Sequence, residues 1–170
     1  CPAHMLIYRS ERRSYRELPL RIHDQGVLFR REDTGALEGI RRGYQFCQDD
    51  AHIFLRPDQV EEEITTLIGL IRRVYRAFGI DFRTYLSTSD WENRPKAWLG
   101  TREMWAKAED ALAAALTKNG LEFKRDPGEA AFYGPKVDFL VADCIGRQWQ
   151  LGTVQLDYNL PSAERFDLAY

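Results

Sequence analysis

An arginine and an aromatic ring held on two neighbouring strands can bind a nucleotide. The guanidinium pairs with phosphate through two parallel N–H donors, and the ring face stacks on a base. This chain brings those residue types together in Phe29-Arg30-Arg31-Glu32, followed by a loop, Arg42 and Phe46. On composition alone, a surface hairpin with solvated arginines is the stronger reading. Just beyond, Gln48-Asp49-Asp50-Ala51-His52 is polar for a strand that should help build a core. Such a break in pattern suggests a strand facing a pocket, although an exposed strand face gives the same pattern.

The elements that must position these residues are legible in outline. Residues 3–9 have helical composition, and 20–24 and 27–31 read as short strands around Gly26. Residues 33–39 are rich in turn formers, and Tyr44 to Phe54 reads as one long strand. Arg56-Pro57-Asp58 opens the clearest helix. Val60, Ile64, Leu67, Ile68, Ile71, Tyr75 and Phe78 fall on one face of it, and Gly79 stops it. Residues 82–88 form a strand, and 89–100 an irregular loop with Trp91 and Trp98. Thr101 caps a second helix that runs to Lys118, with Met104, Trp105, Ala108, Leu112 and Leu116 inward. Residues 121–124, 136–143 and 147–157 read as strands, the last two joined at Ile145-Gly146. The expected class is α+β: an antiparallel β-sheet flanked by helices, in one domain.

Composition bounds the function. Hydrophobic residues make up 44% and charged residues 29% of the 170, with a net charge of -2. That balance argues against binding nucleic acid through the whole surface, but leaves room for a local basic site. No apolar run reaches the roughly 20 residues of a membrane span, so no membrane partner is expected. The three cysteines, Cys1, Cys47 and Cys144, are too sparse for a disulfide framework, which points to a reducing cytoplasmic setting. Cys47 and Cys144 are expected to be small core residues. No CxxC or HxxxH pair occurs, so spacing alone identifies no metal site. The chain starts at Cys1 and ends at Tyr170 without a helix stop or polar tail, as expected of a piece of a longer protein.

Taken together, the motifs resemble a known family. Phe-Arg-x-Glu, a loop, Arg and Phe is similar to the second signature motif of class II aminoacyl-tRNA synthetases. Gln48-Asp-Asp-Ala-His-Ile-Phe54 is narrower and resembles the threonyl-tRNA synthetase family. Cys1-Pro-Ala-His-Met5, Ala131-Phe-Tyr-Gly-Pro-Lys136 and Trp149-Gln-Leu-Gly-Thr-Val-Gln-Leu-Asp157 agree with it in the expected order. The likeness covers nearly the whole chain, which is then residues 1–170 of a partial catalytic domain without the editing and anticodon-binding domains.

The resemblance implies roles. Arg30 would hold the α-phosphate of ATP and act with Mg²⁺ as an electrophile, and Lys136 would serve as the second catalytic cation. Glu32 would face the adenine amino group or the tRNA end, Arg42 the γ-phosphate, and Phe46 would stack on adenine. Gln150 would lie near the adenylate. Gln48, Asp50, Tyr133, Lys136 and Gln155 would surround threonine, with Asp50 accepting the substrate hydroxyl's hydrogen bond. Cys1 and His52 would be two of three Zn²⁺ ligands, the third a histidine beyond Tyr170. The implied partners are threonine, ATP and tRNA(Thr), with a homodimer for the full-length protein. Two departures stand out. Arg42-Gly43-Tyr44 replaces the family's Arg-Val-Arg, with Arg41 a possible substitute, and the third signature motif is not in the chain.

The implied activity is ATP-dependent formation of threonyl-adenylate and transfer to tRNA, with this segment inactive by itself. One rival is a non-catalytic paralogue serving as a binding or regulatory module. Tyr44 favours it, while Arg30, Phe46, Cys1, His52 and Lys136 oppose it. The other is a prolyl or seryl enzyme, which Cys1 and the Asp50/His52 pair oppose. His4 is expected to pack near the site, and His23 to be an ordinary surface histidine. Arg30, Arg42, Phe46, Tyr133, Lys136 and Gln150 are expected to line one concave surface.

Overall fold

A computed structural model describes residues 2–170. The chain divides into two compact units: the residues up to Arg56 with Tyr170, and Pro57–Ala169.

The first unit opens with α1 (Pro2–Arg9). Proline suits the first helical position, where its missing N–H has no partner to lose. His4, Met5 and Tyr8 are buried, a one-faced spacing, and Tyr8 stacks on Phe54 at 4.5 Å. A short 3-10 turn at Tyr15–Glu17 carries a capping box, Ser14 and Glu17 satisfying each other's backbone donors. Four strands follow: β1 (Leu20–Asp24), β2 (Val27–Phe29), β3 (Gln45–Cys47) and β4 (Asp50–Phe54). They form two antiparallel pairs, β1 with β4 and β2 with β3. The single strand expected over Tyr44–Phe54 is therefore two, broken at Gln48-Asp49, where the chain leaves one partner for another.

In the second unit, Pro57–Gln59 form a 3-10 turn before α2 (Val60–Ala77). Val60, Ile64 and Ile68 are buried as the helical period requires, but Phe78, beyond the last turn, is exposed. Gly79 follows at φ +66°, the left-handed conformation that ends helices. β5 (Phe82–Thr88) leads to α3 (Arg102–Lys118), capped by the Thr101 hydroxyl, which accepts from the Met104 N–H. Trp105, Ala108, Leu112, Ala115 and Leu116 of α3 are buried.

β6 (Phe123–Pro127), β7 (Lys136–Ala142) and β8 (Gln148–Gln155) complete a four-stranded sheet in the order β6-β5-β7-β8. The β5–β7 and β7–β8 pairs are antiparallel as expected, while β5 and β6 are parallel. α3 lies between β5 and β6 in the chain and supplies the crossover that a parallel pair needs. Leu86, Val137 and Phe139 bury the apolar side of the sheet. Cys47 and Cys144 are exposed, contrary to expectation. Both stand where the chain leaves or rounds a strand, at the end of β3 and in the β7–β8 turn.

Candidate functional site

In the first unit, the β2–β3 pair sets Leu28 opposite Phe46, and Arg30 N–H donates to Tyr44 O at 2.9 Å, extending the ladder by one residue. Alternation then places Arg30 and Phe46 on one face. The Arg30 guanidinium lies over the Phe46 ring, 4.9 Å from its centroid. Glu32 and Arg42 form an ion pair through one oxygen: Arg42 Nε donates to Glu32 Oε2 at 3.0 Å and Nη2 lies 2.9 Å from the same oxygen. Glu32 is nearly enclosed while Arg42 is open to solvent. Arg41 is engaged by Glu38 in the same loop. Tyr44, the departure from the family pattern, is exposed and contributes its backbone carbonyl.

The β1–β4 pair builds a second feature in this unit. Asp24 faces Asp50 and Ile22 faces His52 across the register. Ala3, His4, Asp24, Gly26, Leu28, Gln48, Asp50 and His52 line a cavity of about 90 Å³. Gln48, Asp50 and His52, three of the predicted residues, thus converge. His4, expected only nearby, meets His52 through a 2.7 Å Nδ1–Nδ1 hydrogen bond with the rings edge-on. Burial pushes the His52 imidazole below its ordinary pKa; Asp50's charge opposes this and His4 adds to it. Asp24 was not anticipated in the cavity. Its signal was a carboxylate at a strand end two residues before Gly26, where an added Cβ would sit 3.0 Å from Asp24 Oδ2. His23 is at the surface, paired with Asp49 at 2.7 Å.

Cys1 lies outside the described residues. Among those described, no three His, Cys, Asp or Glu side chains are grouped to hold a metal. Of the predicted zinc ligands only His52 is in view. The donor set therefore does not by itself fit a metal centre.

The second unit carries the remaining predicted residues, Lys136, Gln150 and Gln155 on one face of its sheet and Tyr133 in the turn before β7. Lys136 and Asp138 are two apart on β7, and Lys136 pairs in register with Gln155 and Ser87, Asp138 with Thr153. The Lys136 ammonium lies 2.7 Å from Asp138 Oδ2. Ser87 Oγ donates to the same oxygen at 2.7 Å, and Thr153 Oγ1 donates to Oδ1 at 3.1 Å. Gln150 Nε2 donates to Thr153 Oγ1 at 2.5 Å. Strict alternation would put Leu151, not Gln150, on the face of Thr153 and Gln155. A register shift opposite Phe139/Leu140 sets Gln150 across from Leu140 instead, so an irregularity in β8 re-aims the glutamine.

Tyr133 Oη donates to Gln155 Oε1 at 2.9 Å, and Gln155 Nε2 to Gly134 O at 3.3 Å. Gly134 is required there, because a Cβ would lie 2.2 Å from the Leu156 carbonyl oxygen. Asp138, the hub of this face, was not singled out from sequence. Its signal was one carboxylate inside the apolar run Val137-Asp-Phe-Leu-Val141.

The arrangement can do specific things. The first unit offers a ring with a guanidinium beside it and a separate cavity lined by a carboxylate and a neutral-leaning imidazole. The second offers an ammonium and two amides fixed on a sheet.

Comparison with known proteins gives the family. All of residues 1–170 match the tRNA synthetase class II core domain model (G, H, P, S and T). A threonine–tRNA ligase of Rhodopirellula baltica is 52% identical over the whole chain, and one of Symbiobacterium thermophilum is 49% identical. The chain spans 22% and 25% of those proteins, about a quarter of the length of the curated relatives it matches. A crystal structure described as the RNA binding domain of threonyl-tRNA synthetase from Cryptosporidium parvum superposes with a TM-score of 0.83 at 45% identity. It covers 98% of this chain and 40% of that one. A putative threonyl-tRNA synthetase from Aeropyrum pernix gives the same TM-score at 35% identity, covering 99% of this chain and 39% of that one. The chain belongs to the class II tRNA synthetase core domain family, and the relatives it matches from end to end are threonine–tRNA ligases.

Proposed function

We propose that the parent protein is a threonine–tRNA ligase and that this chain supplies part of its catalytic domain. The reading rests most on the convergence of Gln48, Asp50 and His52 on one cavity, because these residues belong to the motif that resembles threonyl enzymes. Asp50 accepts the hydrogen bond of a substrate hydroxyl. A hydroxyl-bearing amino acid then satisfies the cavity's polar groups, and valine leaves them unpaired. In the second unit, the resemblance gives Tyr133 and Gln155, already hydrogen-bonded to each other, and Lys136 to threonine binding.

Adenylate formation needs no protein nucleophile. The threonine carboxylate oxygen attacks the α-phosphorus of ATP, the bond to the β-phosphate oxygen breaks, and pyrophosphate leaves; Mg²⁺ bound with ATP would neutralise its charge. The protein's part is to position both reactants and neutralise developing charge. Arg30 holds the α-phosphate. Adenine stacks on the face of Phe46 that Arg30 does not cover. Arg42 turns from Glu32 toward the γ-phosphate, which frees Glu32 for the adenine amino group, and Gln150 holds the adenylate. Threonine then passes to tRNA(Thr).

Zn²⁺ belongs to this reading only as an expectation of the full-length protein, with Cys1, His52 and a histidine beyond Tyr170 as ligands. Burial lowers the pKa of the His52 imidazole. No step is assigned to the metal. A homodimeric, cytoplasmic parent is part of the same proposal. No described helix is long and apolar enough to cross a membrane.

The test is threonine-dependent exchange of labelled pyrophosphate into ATP by the full-length protein, followed by charging of tRNA. Exchange that depends on threonine and falls sharply in Arg30→Ala is expected. Exchange indifferent to threonine, or driven equally by proline, would overturn the reading.

A further inference from the structure

Asp138 is buried on the polar face of the sheet, and its two oxygens are used differently. Oδ2 takes the Ser87 hydroxyl and the Lys136 ammonium, while Oδ1 takes Thr153, whose hydroxyl in turn accepts from the Gln150 amide. A buried carboxylate needs partners, and the two hydroxyls would already supply one for each oxygen. The ammonium is therefore more than filling: it is the flexible end of a four-carbon stem, tied down at 19% side-chain exposure. Ser87, Thr153 and Lys136 all end on this one carboxylate, and Gln150 reaches it through Thr153.

We propose that Asp138 is a positioning residue: it fixes the Lys136 ammonium through one oxygen and, through Thr153, the Gln150 amide through the other. Both are then set in advance for the negatively charged groups of the reactants. The inference rests on the roles given to Lys136 and Gln150 above. Asparagine at 138 keeps the shape and one accepting oxygen for Thr153; its NH2 then faces Ser87, whose hydroxyl turns to accept, and it offers the ammonium no counter-charge. Lys136 would then swing, and misplacement of a catalytic group by an ångström costs about a hundredfold in rate.

The experiment uses the full-length protein with Asp138→Asn, Lys136→Met and the double variant. Threonine-dependent pyrophosphate exchange gives kcat and KM, and the NMR signal of the Lys136 Nζ hydrogens is read separately. Asp138→Asn is expected to lower kcat/KM about a hundredfold in the wild-type background. In the Lys136→Met background the loss should be no more than about twofold, because the Lys136 arm is gone and the Thr153–Gln150 arm keeps its accepting oxygen. The Nζ signal should broaden or vanish in Asp138→Asn. Should that variant fold poorly, Thr153→Val cuts the Gln150 arm alone: it should raise the KM for ATP and leave the Nζ signal in place. Equal losses in both backgrounds, or an unmoved Nζ signal in Asp138→Asn, would overturn the proposal. Full activity in Lys136→Met would instead sink the role assigned to Lys136, with the Nζ signal still deciding whether Asp138 holds it.

Discussion

The two units hold their polar residues in opposite ways. In the second, Asp138 gathers Ser87, Thr153 and Lys136 on a four-stranded sheet whose other face is closed by Val137 and Phe139. In the first, polar pairs lie off the strands: Arg42–Glu32 and Arg41–Glu38 in the loop that joins β2 to β3, and Asp49, the partner of His23, in the break before β4. A lone strand pair is marginal without further packing, so its side chains can be redirected by a ligand. A network anchored on a packed sheet is set before the ligand arrives. Geometry in the second unit should therefore be costly to disturb, and pairing in the first cheap to break.

The largest expected effect lies in the packed sheet. Phe139→Ala removes a fully buried ring and should cost about 3–5 kcal/mol in denaturant unfolding. Phe29→Ala, at a ring 73% exposed, should stay within about 0.5 kcal/mol. Comparable costs at the two sites would erase the contrast. Next comes Gly134→Ala, whose Cβ meets backbone that cannot yield cheaply. About 1–3 kcal/mol of destabilisation is expected, with a raised KM for threonine as Tyr133 and Lys136 shift.

Arg42→Ala sharpens the other side. Its pair with Glu32 is open on the arginine side, so stability should fall by less than about 1 kcal/mol while the KM for ATP rises. A large stability loss would mean that the first unit is as firmly set as the second. The smallest effect concerns Asp143 in the β7–β8 turn. Donation from Trp149 Nε1, with Arg147 and backbone N–H groups, holds its carboxyl well below the usual carboxylate range. The folded value lies below the unfolded one, near 3.9. The stabilisation is thus complete above about pH 4 and fades as pH falls toward the folded value. Hydrogen-exchange protection of the Ile145 and Arg147 amides should decline over that acid range, and Asp143→Asn should remove the pH dependence.

What was legible in the sequence follows the same divide. The helical stripe of α3, its Thr101 cap and the strand 82–88 all come from local periodicity and capping, and all three hold. The parallel β5–β6 pairing was missed although its sign was present: a helix between two strands is long enough for a crossover. The break at Gln48-Asp49 depends on which partner each half finds, which no local pattern encodes. In the site, family motifs found Gln48, Asp50 and His52, and the structure brings them together. Asp138 and the placement of Gln150 were not legible, because one depends on contacts across three strands and the other on a shift in register.

The central claim is that the cavity of Gln48, Asp50 and His52 reads a substrate hydroxyl. It is tested most directly by adenylate formation with threonine, serine and valine, using the full-length protein and its Asp50→Ala variant. The account predicts strong activation of threonine, appreciable activation of serine, which lacks only a methyl worth about 1 kcal/mol, and near-absence with valine. Asp50→Ala should cut threonine activation sharply and narrow its lead over valine. Valine activated nearly as well as serine, or an Asp50→Ala variant that separates threonine from valine as well as the wild type does, would contradict it.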